Sequence, residues 1–147
     1  MNFKLYFHYI SYLQYPLMLI ALFYSFRPIL FDSELDLKNV NSMLVFAGLA
    51  VSFSTLQDTS RTQNKISRRI WESPKKGRIF LAYLGILNLF LIVYGVYGFL
   101  SNKEDGILTE ISFGIIVLGI GMIGMLKSGI EKFEKHRKDK NTNVNNI

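Results

Sequence analysis

Polar side chains that could bind a ligand are rare in the apolar parts of this sequence, and the first group of them lies near the N-terminus. His8, Ser11, Tyr12 and Tyr15 are spaced three or four residues apart within an otherwise apolar stretch. This spacing places side chains on one face of an α-helix. An imidazole beside three hydroxyls could hold a small polar ligand, or it could form a hydrogen-bond network between helices without any ligand.

Two other polar residues are expected at depths from which they could reach this group. Thr55 lies near the end of the second apolar stretch, and Asn88 lies near the middle of the third. A polar group in hydrocarbon needs a hydrogen-bond partner. We therefore predict a polar pocket between the first three helices, open toward the cytoplasm. The pocket residues are His8, Ser11, Tyr12, Tyr15, Thr55 and Asn88.

No set of residues predicts a catalytic centre. The sequence has no Ser/His/Asp set, no HExxH motif and no pair of carboxylates on one face of an apolar stretch, and "SPKKGR" lacks the glycines of a phosphate-binding loop. Zinc takes three or four ligands, whereas His8 and His136 are far apart and cysteine is absent. We expect no enzyme activity, no metal and no cofactor.

Four apolar stretches without charge cover residues 5–26, 40–57, 79–101 and 107–126. About 20 helical residues cross the hydrocarbon core of a bilayer, and these stretches lack the alternation of barrel strands. The sequence predicts an all-α integral membrane protein with four transmembrane helices, arranged as two antiparallel helical hairpins. A soluble four-helix bundle is the alternative, but it would need charged outer faces.

Pro16 lies within the first of these stretches. A span that began at Pro16 would leave too few residues before Arg27 to cross the membrane. We therefore expect Pro16 inside the first helix, where it removes one backbone hydrogen bond and kinks the axis. Tyr12 and Tyr15 then lie below the headgroups and face inward.

The basic residues are divided unequally between the loops. If the chain crosses four times, one side holds 14 of the 17 Lys and Arg residues and the other side holds 3. Because cytoplasmic loops carry an excess of Lys and Arg, both termini are predicted to be cytoplasmic. The same rule explains the net charge of +6, so we expect no nucleic acid partner. The predicted location is the inner or plasma membrane, as a multi-pass protein.

The transmembrane domain is predicted to cover residues 1–127, with a cytoplasmic loop at 58–78 and a basic tail at 128–147 that is disordered at its end. A helix in the loop should stop at Ser73, because a residue before proline is pushed out of helical geometry. Basic residues and a tryptophan in the loop should contact anionic headgroups. These residues are Arg68, Arg69, Trp71, Lys75, Lys76 and Arg78.

Small residues form a stripe on each of the last three apolar stretches. Such residues let membrane helices approach closely, so helix packing is the favoured interpretation over a glycine-lined path. The packing residues are Gly48, Ser52, Gly85, Gly95, Gly114, Gly121 and Gly124. At the outer rim, Glu110 and Arg27 are predicted to form an ion pair that joins the fourth helix to the first.

The expected function is non-enzymatic. We expect a small membrane protein that acts as an accessory or scaffold subunit and binds a larger membrane partner. The alternative is a homo-oligomeric channel or small transporter lined by the Gly and Asn stripes. The sequence identifies neither a substrate nor a partner.

Overall fold

Long apolar runs with few helix-breaking residues form the secondary structure of this chain. The computed structural model describes residues 3–31, 36–56, 70–101 and 106–136, and these ranges contain helices and no strand. The predicted all-helical class is confirmed. The helices are α1 (Phe3–Ser11), α2 (Gln14–Leu30), α3 (Leu37–Ser54), α4 (Pro74–Leu100) and α5 (Ile107–His136).

Three helical segments are long and apolar enough to cross a membrane. They are Leu5–Leu30, Pro74–Leu100 and Ile107–His136. Many of their large apolar side chains are exposed, and Ile29 and Ile86 are 77% and 70% exposed. A soluble bundle would bury such side chains against its core. These three segments therefore have the length and the exposed apolar surface of membrane-spanning helices.

Helix α3 is less apolar than these three segments. It has 18 residues, and its first half contains Lys38, Asn39 and Asn41. Asp36 caps its N-terminus by accepting a hydrogen bond from the Lys38 backbone N–H at 3.0 Å. The helix ends at Ser54, before the predicted end at 57. Residues 57–69, which cover most of the predicted cytoplasmic loop, lie outside the described residues.

The first apolar segment is divided into two helices. The chain leaves the α-helix at Tyr12 and Leu13, where i→i+3 hydrogen bonds replace the α-helical ones. Pro16 lies in the first turn of α2. Its ring would clash with the carbonyl of Tyr12 in a continuous helix, and its nitrogen cannot donate to that carbonyl. In place of the expected kink, the structure has a break in the α-helix, which begins four residues before the proline.

Helix α4 begins directly at a proline. Residues 70–72 are helical, and Ser73 is extended with φ −89° and ψ 115°. The expected stop at Ser73 is confirmed. Pro74 then occupies the first helical position, where a missing N–H costs nothing. The helix thus starts five residues before the predicted boundary at Ile79 and includes the three basic residues of the "KKGR" stretch.

The four long helices are arranged as a row in the order α2, α3, α5, α4. Helix α3 packs along α2 on one side and α5 on the other, and α5 packs along α3 and α4. Among the described helices, α2 packs extensively only on α3, and α4 only on α5. The short helix α1 makes a small contact with α3. The row is open, because its two end helices do not pack on each other.

Candidate functional site

The polar residues near the N-terminus contact one another along their own segment of the chain. The Ser11 hydroxyl donates to the His8 carbonyl oxygen at 2.7 Å, and the Tyr12 hydroxyl lies 3.3 Å from His8 Nε2. Ser11 is buried, whereas Tyr12 and Tyr15 are 45% and 56% exposed. The interruption after Ser11 turns both tyrosines outward, so the inward orientation expected for them is not found.

The other two predicted pocket residues lie elsewhere. The Thr55 hydroxyl donates to the Ser52 carbonyl oxygen at 2.7 Å and faces Gly124 on α5. Asn88 is 5% exposed and also faces α5, close to Gly119. Helix α5 lies beside α4, and α3 separates α5 from α2. The structure therefore does not bring Asn88 to the first helix, because the third apolar helix is not a neighbour of the first.

Two buried polar atoms have no hydrogen-bond partner among the described residues. They are His8 Nδ1 and Asn88 Oδ1. An unpaired buried acceptor or donor costs free energy because it has lost its hydration. The two atoms lie on α1 and α4, and α1 packs on α3 whereas α4 packs on α5, so they do not form one site.

The small residues lie mainly where helices approach closely. A Cβ atom added to Gly121 would overlap the Gly48 carbonyl oxygen, and one added to Gly48 would lie 2.7 Å from the Leu118 backbone. Ser52 donates to the Gly48 carbonyl oxygen at 2.9 Å, at the same crossing. Gly85 differs, because its nearest neighbour is a side-chain atom 4.0 Å from the added Cβ position.

Three other predicted packing glycines also face neighbouring helices. A Cβ atom on Gly114 would lie 2.7 Å from the Asn41 carbonyl oxygen, and one on Gly95 would lie 2.8 Å from an Ile116 side-chain carbon. The Gly114 N–H also donates to Asn41 Oδ1 at 2.7 Å. Gly124 faces Thr55. These contacts fill the space that a glycine-lined path would need.

The predicted ion pair is not formed. Arg27 Nη1 donates to Asn39 Oδ1 at 2.8 Å, across the connection between α2 and α3. Glu110 is exposed in the first turn of α5. Within the described ranges, α3 lies between the helices that carry the two residues. Arg27 therefore pairs with the adjacent helix.

The basic residues that were predicted to contact headgroups differ in whether the structure describes them. Arg68 and Arg69 lie outside the described residues. Lys75, Lys76 and Arg78 are exposed in the first turns of α4, where they are free to meet headgroups.

Trp71 differs from the other predicted headgroup residues because it is only 8% exposed. Its ring packs edge-on against Phe80 with centroids 5.6 Å apart. It also lies above Gly129, where an added Cβ atom would be 3.3 Å from the ring. The structure thus packs Trp71 against residues of α4 and α5, and its contact with headgroups stays a prediction.

A cavity of about 240 Å³ lies between the end of α3, the first half of α4 and the second half of α5. It is partly open to the surface. Its apolar wall contains Trp71, Phe80, Leu84 and Met125. Its polar groups belong to Ser54, Thr55, Ser128 and Lys132. This cavity is the candidate binding site, because the structure does not bring the six predicted pocket residues together.

The polar groups of the cavity differ in what they can offer a ligand. The hydroxyls of Ser54 and Thr55 each donate to a backbone carbonyl oxygen at 2.7 Å, so their oxygens remain as acceptors. Lys132 contributes the only charge among the lining residues. The cavity can therefore bind a negatively charged group beside an apolar one.

Sequence reasoning missed this cavity because several of its lining residues lie outside the apolar stretches. Ser128 and Lys132 belong to a charged segment that has no strong pattern. The feature of the sequence that could have indicated the cavity is Gly129, a small residue within that segment, against which Trp71 packs.

The described residues contain no group of three or more His, Asp or Glu residues that could hold a metal ion. No family model matches the chain, and neither the curated proteins nor the solved structures contain a match. The class of the protein therefore rests on its own architecture. It is an all-helical protein with three helices suited to a membrane.

Proposed function

We propose that this chain is a four-span protein of the inner or plasma membrane and a non-enzymatic accessory or scaffold subunit. Both termini are cytoplasmic in this proposal, and the four spans form two antiparallel hairpins. The partner is a larger membrane protein whose helices pack against the open row.

The proposed fourth span is α3, and its environment supports this assignment. It lies between α2 and α5, so less of its surface meets lipid than on an end helix. Its polar side chains have partners, since Asn39 accepts from Arg27 and Asn41 accepts from the Gly114 N–H. Polar groups are tolerated in hydrocarbon when they are hydrogen-bonded in this way.

The proposed orientation is supported by the distribution of charge. Lys and Arg are concentrated in the 58–78 loop and after Met125, as the positive-inside rule requires of cytoplasmic segments. A reporter that is active only in the cytoplasm should therefore be active when fused before Met1 and also when fused after Ile147. Activity at one site and inactivity at the other would contradict an even number of spans.

One observation carries the proposed scaffold role, namely the open row of helices. Each end helix uses one face for packing and leaves the other to its surroundings. On α4 the outward side chains include Tyr83, Phe90 and Tyr97, each more than 60% exposed. In a membrane, an apolar face of this kind contacts either lipid or another helix, and aromatic residues are enriched where proteins bind each other.

The second function, an oligomeric pore, has less support. Its lining was expected from the Gly and Asn stripes, and these stripes face neighbouring helices of the same chain. Gly114 and Gly121 face α3, and Asn88 and Gly95 face α5. A pore built from them would require these contacts to separate.

Photo-crosslinking in native membranes tests the scaffold proposal. A photoreactive amino acid replaces Ile86, which is 70% exposed on the outer face of α4. The matched control replaces Leu84, which is two residues away and 8% exposed. We expect the Ile86 variant to form an adduct with a different membrane protein, and the Leu84 variant to form no adduct with another protein.

Other outcomes of the crosslinking decide against the scaffold role. An adduct between two copies of the chain at Ile86 would favour the oligomeric function. Adducts with lipid alone at Ile86, and also at Leu19 on the exposed face of α2, would contradict a partner at either end of the row.

A further inference from the structure

We propose that the cavity between α3, α4 and α5 binds the phosphate group of a phospholipid. The inference rests on a membrane location, but it does not depend on the proposed partner or on which side of the membrane the cavity lies. It concerns a site that is separate from the outward face of α4.

The charge of the cavity selects an anion. Lys132 is its only charged lining residue, and no carboxylate lies among the lining residues. An ammonium group binds phosphate as a point charge with three donors. The hydroxyl oxygens of Ser54 and Thr55, whose protons are already donated to the backbone, can accept from a hydroxyl or ammonium of the headgroup.

The depth of the cavity matches a lipid headgroup. On α5 the charge-free stretch ends at Leu126 and the first basic residue is Lys127. Met125 and Ser128, which line the cavity, lie on the two sides of this boundary. On α4 the lining residue Phe80 follows the exposed Arg78 by two positions. The cavity therefore lies where phosphates lie in a bilayer.

The size and the apolar wall favour a lipid over a free ion. A volume of about 240 Å³ is below the roughly 300–1,000 Å³ of sites that enclose a whole drug-sized ligand. It is large for a bare phosphate and suits a headgroup with the start of its acyl chains. Trp71, Phe80 and Leu84 provide the apolar surface that these chains would contact.

Trp71 is the only tryptophan in the chain and lines the cavity, so its fluorescence reports binding directly. The full chain is purified in a non-ionic detergent and titrated with dihexanoyl phosphatidic acid. We expect a saturable change in Trp71 emission. Dihexanoyl phosphatidylcholine, inorganic phosphate and hexanoate are titrated in parallel, to separate the headgroup charge, the free ion and the acyl chain.

Variants of α5 test the role of the ammonium group. Lys132→Gln should weaken binding of the phosphatidic acid by about tenfold or more, because a charge-assisted hydrogen bond is lost. Lys132→Arg keeps the charge and should retain binding within about threefold. The control Lys135→Gln removes an exposed charge three residues away and should leave binding unchanged.

Three results would overturn the proposal. The first is a Trp71 signal that does not saturate with phosphatidic acid, and the second is equal binding of inorganic phosphate or hexanoate alone. The third is equal weakening by Lys132→Gln and Lys135→Gln, which would indicate attraction to the micelle surface. If Lys132→Gln does not fold, the proposal is still tested by the affinity of Lys132→Arg and by the parallel titrations of the unaltered protein.

Discussion

Helix α3 packs against α5 on one side and against α2 on the other, and the two interfaces are built from different kinds of contact. Against α5 the backbones meet, because Gly48 and Gly121 lie opposite each other without side chains between them. Against α2 the contact is made by side chains, with the rings of Tyr24 and Phe46 stacked at 5.7 Å. The two interfaces should therefore differ in their tolerance of substitution.

The two interfaces differ in tolerance because backbone contacts and side-chain contacts adjust to a substitution at different costs. A backbone carbonyl within a helix cannot move without disturbing its own hydrogen bonds, so a crossing of this kind accepts no added atom. Stacked rings and an exposed Arg27 can change rotamer at a lower cost. The α3–α5 interface is thus the rigid centre of the row, and the α2–α3 interface is its adaptable edge.

The largest effect is expected at the crossing of α3 and α5. Gly121→Ala adds a Cβ atom that overlaps the Gly48 carbonyl oxygen, and the resulting strain should lower the free energy of unfolding by roughly 1–3 kcal/mol. Unfolding by dodecyl sulfate in mixed micelles, followed by circular dichroism, measures this change.

Gly85→Ala is the matched control for this prediction. The added Cβ atom has no neighbour closer than 4.0 Å, so the higher helix propensity of alanine should leave stability unchanged or raise it by up to about 1 kcal/mol. If Gly121→Ala were as stable as Gly85→Ala, the helices would not cross as closely as described.

A smaller effect is expected at the α2–α3 interface. The hydrogen bond from Arg27 to Asn39 should give a coupling free energy of roughly 0.5–1 kcal/mol in a double-mutant cycle, since its donor is partly exposed to screening. The cycle uses Arg27→Gln and Asn39→Ala in the same unfolding experiment.

A second cycle between Arg27 and Glu110 sharpens the comparison. The two residues lie on α2 and α5, and α3 lies between these helices. Their coupling should be close to zero. A stronger coupling for Arg27 and Glu110 than for Arg27 and Asn39 would contradict the order of helices in the row.

The sequence predicted the features that depend on local chemistry. Apolar runs predicted helices suited to a membrane, Pro74 predicted the end of the helical turn at Ser73, and small residues such as Gly121 predicted a face for packing. Each of these follows from residues that are close together in the chain, so periodicity and propensity are sufficient to find them.

The features that depend on helix order could not be obtained in the same way. Periodicity places Asn88 on a face of its helix, but it does not say which helix lies opposite that face. Arg27 likewise had several candidate partners, and the neighbour across one connection supplied Asn39. The burial of Trp71 depends on Gly129, which is 58 positions further along the chain.

Helix α5 has 30 residues, and a helix of this length measures about 45 Å at 1.5 Å per residue. The hydrocarbon core of a membrane is about 30 Å thick. With its apolar part in the membrane, α5 would keep its charged end, including Glu131 and His136, as a rigid post of roughly 15 Å in the aqueous phase. A protein that bound this post would be held at a fixed height above the lipid.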